Sequence, residues 1–106
     1  MIRLGVTGTD TGIGKTVVAG ALTALAREEG LDVAAMKPVE TGVERGGPDT
    51  DAVLLREAAG GTDPLKLVCP VVLPEPLAPS VAARRAGREV KLDLLDEALE
   101  TISKDR

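Results

Sequence analysis

The stretch Gly5-Val6-Thr7-Gly8-Thr9-Asp10-Thr11-Gly12-Ile13-Gly14-Lys15-Thr16 constrains this chain more than any other. An apolar run enters a glycine-rich turn, and the turn enters an amphipathic stretch, which is the order of parts in a phosphate-binding loop. Backbone N–H groups must approach a polyphosphate closely, and a side chain larger than hydrogen blocks that approach. Gly8, Gly12 and Gly14 supply the clearance. The first turn of the helix that follows aims unpaired N–H groups and its positive dipole end at the anion. Lys15 is then placed to reach the outer phosphates, and the Thr16 hydroxyl to ligate Mg²⁺. The usual spacing has four residues between the first Gly and Gly-Lys-Thr; here Gly8 and Gly14 are separated by five. The plainer alternative is a flexible glycine turn beside an exposed lysine, and it leaves the placement between strand-like and helix-like stretches unaccounted for.

With 106 residues, one domain is the natural count. A formal charge of −4 argues against a general nucleic-acid binder, which carries a basic face. No apolar run approaches the length that spans a bilayer, and the N-terminus lacks a signal peptide's basic start and cleavage site. The single cysteine, Cys69, forms no internal disulfide and reads as a small buried apolar residue. A reducing, cytoplasmic setting is expected. Histidine is absent, which excludes a Ser–His–Asp or Cys–His mechanism within this chain. Phosphoryl transfer needs no such base, because positioning and charge neutralisation carry most of it. Phe, Tyr and Trp are absent as well, so an adenine ring has no aromatic to stack on here.

The patterning predicts an α/β fold of the phosphate-loop NTPase type: a parallel sheet with flanking helices. Ile2–Thr7 suits a buried parallel strand. From Lys15 to Glu29, the residues Val18, Ala21, Leu22 and Leu25 share one helical face, with Gly30 as the stop. Leu31–Met36 reads as a second strand running into Lys37-Pro38, which completes a βαβ unit with a right-handed crossover. A polar loop from Pro38 to Pro48 precedes a helix from Asp49 or Thr50 to Ala59. Val53 and Leu54 are expected to face inward there, and Gly60-Gly61 to end it. Pro70 limits Leu65–Leu73 to a short edge strand or extended segment. Further helices are expected at Pro79–Ala86, closed by Gly87, and at about Leu92–Ser103, with Leu92, Leu95, Leu99 and Ile102 on one core stripe. A phosphate-loop enzyme normally has another apolar strand ending in a carboxylate that helps hold Mg²⁺. Val71-Val72-Leu73-Pro74-Glu75 is a poor imitation, since a proline precedes the acid. Residues 1–106 therefore read as the N-terminal half of a larger α/β domain, its ATP-binding portion.

Three further positions carry candidate chemistry. Lys37 is predicted at the end of the second strand, the edge where ligands bind in open parallel sheets, and there it can neutralise an anionic substrate or a transferring phosphoryl group. The plainer reading is a solvated charge at a strand end. Thr41-Gly42 offers a hydroxyl and a backbone N–H to a carboxylate or phosphate, or is only a turn. Asp51, in the first turn of its helix, either caps that helix or serves as a ligand to Mg²⁺ or its water shell opposite Thr16. Asp10 reads as a structural acceptor within the loop.

Gly8-Thr9-Asp10-Thr11-Gly12-Ile13-Gly14-Lys15-Thr16 and Lys37-Pro38-Val39-Glu40-Thr41-Gly42 together resemble the two N-terminal signatures of dethiobiotin synthetases. The five-residue gap is the form that family carries. Asp51-Ala52-Val53-Leu54 and the stretch from Pro74 to Gly87 are similar too, so nearly the whole chain follows the family in order. The resemblance implies an ATP- and Mg²⁺-dependent ring closure in biotin synthesis. CO2 adds to 7,8-diaminononanoate to give a carbamate, ATP phosphorylates the carbamate, and the second amine closes the ureido ring. It further implies that Gly12, Ile13, Gly14, Lys15, Thr16, Val17 and Asp51 bind the nucleotide, and that Thr16 and Asp51 serve the metal. Thr11, Lys37 and Thr41 would contact the substrate, with Lys37 and Lys15 as the catalytic cations. A cytoplasmic homodimer with small-molecule substrates, neither nucleic acid nor membrane among its partners, is the implied setting. The family's later acidic metal ligand, in a Val-Glu-Gly-Ala-Gly-Gly-like motif, is missing, as are its base-recognition segment and C-terminal part. The family's sheet places the missing strand between the two expected here, which then could not pair with each other. Little synthetase activity is expected of residues 1–106 by themselves. Two rivals are a cobyrinate-amidating synthetase, which lacks this pairing of motifs, and a partition-type ATPase switch. The latter carries an extra loop lysine where Asp10 stands.

Overall fold

The structure, a computed structural model, describes residues 2–7, 14–44, 47, 50–104 and 106. The chain runs through helix α1 (Gly14–Glu28), strand β1 (Val39–Thr41) and helix α2 (Asp51–Ala58). The one-turn helix α3 (Leu65–Val68), strand β2 (Val71–Leu73), helix α4 (Pro79–Arg85) and helix α5 (Leu92–Ser103) follow. The two strands form a parallel sheet with Val39 opposite Val71, Glu40 opposite Val72 and Thr41 opposite Leu73. The parallel α/β expectation is met, with helices supplying the connection between strands.

Alternation along the strands divides the core in two. Val71 and Leu73 point with Val39 toward α4, where they pack on Ala82 and Ala83 together with Leu77, Val90 and Leu95. Val72 lies against the opposite cluster of Ala52, Val68, Cys69 and Ile102, contributed by α2, α3 and α5. Cys69 is buried, as expected, and its thiol donates to the Val71 carbonyl at 3.3 Å. At the far end of α5, Arg106 bonds both carboxylate oxygens of Asp63, at 3.0 and 3.2 Å, and reaches Asp32 at 3.2 Å.

The helices stop where glycine lets them. Gly30 has φ +88°; its N–H bonds Arg27 O, and the Leu31 N–H bonds Ala26 O. This paired closure requires a left-handed residue at the turn. Gly60 and Gly61 end α2 in the same manner, and Gly87 ends α4. Gly42, at φ +78°, has a second reason to be glycine: a Cβ there would sit 3.0 Å from the Pro76 Cβ. The loops after β1 and β2 thus press together directly above the strand ends.

The strands differ from the sequence expectation. Neither Ile2–Thr7 nor Leu31–Met36 is a strand, and no pairing joins them among the described residues. A strand exists only where a neighbour completes its ladder, and the neighbour found here runs beside Val39–Thr41 instead. Ile2 and Leu4 are 87% and 80% exposed. The apolar face of α1, including Val17, Val18, Leu22 and Leu25, is exposed with them. In α2 the inward residues are Ala52 and Leu55, while Leu54 is 49% exposed. In α5 the core stripe begins at Leu95, and Leu92 stands in solvent. Leu65–Leu73 holds a helical turn as well as a strand, because Pro64 and Pro70 bracket the turn.

Leu73, fully buried between sheet and α4, gives a direct test of where the core lies. Leu73→Ala is expected to lower unfolding free energy by about 2–5 kcal/mol. Leu4→Ala should change it by less than about 0.5 kcal/mol. Urea titrations of the two variants check this, and comparable losses would contradict the assigned core.

Candidate functional site

Helix α1 begins at Gly14, so Lys15 and Thr16 occupy its first turn. Gly8, Asp10, Thr11, Gly12 and Ile13 lie outside the described residues. Lys37 lies two residues ahead of β1 rather than at the end of a strand, and its backbone N–H bonds the Val68 carbonyl at 2.7 Å. The Val71 N–H bonds the Pro38 carbonyl at 3.2 Å. These two bonds hold the Lys37-Pro38 backbone against the entry to β2. Asp51 opens α2.

Three distant stretches converge here. The Lys37 ammonium donates to Asp51 Oδ2, forming an ion pair with both side chains partly shielded from solvent. The Thr16 side chain lies close to the same carboxylate and favours its charged form. Burial pushes the Asp51 carboxyl up. The hydrogen bond from Lys37, the Thr16 hydroxyl and the charge of Lys37 outweigh burial and hold it below the usual carboxylate range. Asp51 is therefore an anion facing an ammonium and a hydroxyl.

Capping, the plainer role for Asp51, is filled by others. The Thr50 hydroxyl accepts from the Val53 N–H at 3.4 Å and donates to the Gly47 carbonyl at 2.9 Å. The Glu40 carboxylate accepts from the N–H groups of Asp51 and Ala52, at 2.9 and 3.2 Å. Sequence reasoning quoted Glu40 inside a motif and gave it no role. The available signal was an acid flanked by Val39 and Thr41, whose alternation turns it toward α2.

Of the remaining candidates, Thr41 ends β1 half-buried, with Gly42 N–H bonded to the Leu73 carbonyl at 2.8 Å. Val17 is exposed on α1. Glu75 follows β2 as a strand-end acid, but its carboxylate is held by Arg85 at 2.6 Å. Mg²⁺ takes oxygen ligands and commonly only one or two carboxylates from protein. A neighbouring hydroxyl and carboxylate, Thr16 and Asp51, are a donor set of that kind. Among the described residues no group of three or more His, Cys, Asp or Glu side chains converges. No described helix is long and apolar enough to cross a membrane.

Comparison with known proteins gives consistent matches. A family profile described as AAA domain covers residues 3–105. The chain is 52% identical over 103 residues to an ATP-dependent dethiobiotin synthetase of Anaeromyxobacter dehalogenans strain 2CP-C, covering 97% of this chain and 46% of that protein. It is 47% identical over 103 residues to the enzyme of that name in Anaeromyxobacter sp. strain Fw109-5, with the same shares covered. Against that of Bacillus cereus strain B4264 the identity is 45% over 87 residues, or 82% of this chain and 36% of the relative. The resemblance read from the two motifs is thus matched along most of the chain. The chain spans about half the length, or less, of these curated relatives.

The lowered Asp51 carboxyl has a consequence in acid. Its stabilising contribution is complete above the ordinary aspartate range and is lost as pH falls through the folded-state value, below about pH 4. Urea midpoints of the wild-type chain should fall more steeply there than those of Asp51→Asn, which cannot titrate. Equal acid slopes would show that the ion pair contributes nothing.

Proposed function

We propose, for a chain that belongs to the AAA domain family, that it forms the ATP-binding portion of a dethiobiotin synthetase. The convergence of Thr16, Lys37 and Asp51 carries this reading. The names of the relatives support it. Lys15 and Thr16, with the backbone of residues 12–17, bind the nucleotide phosphates. Thr16 and Asp51 are the residues that would hold Mg²⁺. When bound, that metal would supply positive charge to offset the negative charge of the phosphates.

The substrates are 7,8-diaminononanoate, CO2 and ATP, with Thr11 and Thr41 contacting the diamine. The chemical difficulty is electrostatic, because a carbamate anion must meet a γ-phosphate that is itself negative. Lys37, partly shielded from water, offsets that repulsion on the carbamate side, and Lys15 does so on the phosphate side. Asp51 keeps the Lys37 ammonium in place until an anionic substrate competes for it. The complete enzyme is a cytoplasmic homodimer acting on small molecules alone, and the residues here form part of one phosphate-loop domain within it.

Binding and turnover test this reading separately. Calorimetry should detect Mg²⁺-dependent ATP binding by the chain, weakened at least about tenfold by Lys15→Ala, which removes a charge-assisted contact to phosphate. Phosphate release should need both the diamine and bicarbonate, and the chain by itself should turn over little. ATP hydrolysis indifferent to the diamine would favour a partner-binding switch. Full turnover by the unaccompanied chain would contradict assignment of the missing acidic ligand to another segment.

A further inference from the structure

We infer that Glu40 is a positioning residue that aims the Asp51 carboxylate at Lys37 and Thr16. Its importance for catalysis rests on the function proposed above, whereas its structural action does not.

Glu40 is 5% exposed, at the centre of β1 on the face turned toward α2. Buried carboxyl oxygens in that position need hydrogen-bond partners. Oε2 accepts from the Asp51 N–H at 2.9 Å, and Oε1 from the Ala52 N–H at 3.2 Å. The partners are the first two N–H groups of α2, at its positive dipole end. Both oxygens are thereby partnered by main-chain donors.

An ordinary cap does not account for this arrangement, because Thr50 already supplies one to Val53. Glu40 adds a fixed register between the strand and the start of the helix. It also changes what Asp51 can do. An aspartate at a helix N-terminus competes for nearby main-chain N–H groups. Here those of Asp51 and Ala52 are taken by Glu40 and that of Val53 by Thr50. The Asp51 carboxylate turns instead to Lys37 and Thr16.

Lys37 and Glu40 belong to one short stretch, so the same segment grips Asp51 twice. One hold is through the side chain and the other through the backbone. Fixing both ends of a residue sets the direction between them. That is the support a ligand carboxylate needs to meet a metal at defined geometry.

Glu40→Gln keeps size and one acceptor oxygen, but sets an NH2 group against one of the two N–H donors. We expect α2 to persist by circular dichroism. The Lys37–Asp51 hydrogen bond, read by NMR from slow exchange of the Lys37 ammonium, should be lost. In the unmodified chain, through-hydrogen-bond couplings should connect the Asp51 and Ala52 amides to the Glu40 carboxyl carbon. Thr50→Ala removes the hydroxyl cap and should leave the Lys37–Asp51 contact intact. Absence of the couplings, survival of that contact in Glu40→Gln, or its equal loss in Thr50→Ala overturns the assignment.

Mg²⁺·ATP affinity provides the link to function. Glu40→Gln should weaken it about three- to tenfold alone and have no further effect in an Asp51→Asn background. Additive losses overturn action through Asp51. A wild-type chain without Mg²⁺-dependent ATP binding would defeat the proposed function, and the NMR readouts would still decide the positioning role.

Discussion

The ion pair between Lys37 and Asp51 joins side chains from parts of the chain far apart in sequence. Lys37 belongs to the segment entering β1, Asp51 to the first turn of α2, and Thr16, which completes the contact, to the first turn of α1. The packing of α1 against α2 sets their approximate approach, but packing alone leaves rotation and sliding available to each helix. Hydrogen bonds are directional, and a carboxylate with two donors removes much of that freedom. The alternating pattern of β1 then adds Glu40 beneath, so α2 is fastened where its dipole is strongest.

The arrangement also has the charge balance needed for work on phosphates. Two lysines, Lys15 and Lys37, stand within a chain that is acidic overall. A lone cation near a site would attract any anion from solvent, whereas Lys37 already has a partner in Asp51. Under the proposed function, an incoming substrate has to offer Lys37 more than the Asp51 carboxylate it displaces. This biases the site toward ligands that bring negative charge and several acceptor oxygens together, as phosphates and carbamates do.

What could be read from sequence follows the range of the forces involved. Helices are specified locally, and Gly30, Gly60 and Gly87 mark their ends through a backbone angle that few other residues adopt. The closeness of Lys37, Asp51 and Thr16 was legible only through motifs, since no periodicity links positions so far apart. Strands are a property of two segments. Ile2–Thr7 carries the composition of a buried strand and is none here, for want of a neighbour, while Val39–Thr41 becomes one beside Val71–Leu73. Asp51 illustrates the same point for a side chain. Its position predicts a cap, and Glu40 and Thr50, reaching in from elsewhere, assign it a different duty.

The open apolar face around Ile2, Leu4 and the exposed side of α1 alters the thermodynamics of the chain as well as its shape. Unfolding raises heat capacity because hydrocarbon surface becomes wet, ordinarily by about 12–15 cal/mol/K per residue. Here much of that surface is hydrated already, so less remains to be uncovered. The heat-capacity increment and the denaturant slope must both fall short of those of a closed domain of equal length. The resulting stability curve is shallow, and neither warming nor cooling moves the balance sharply.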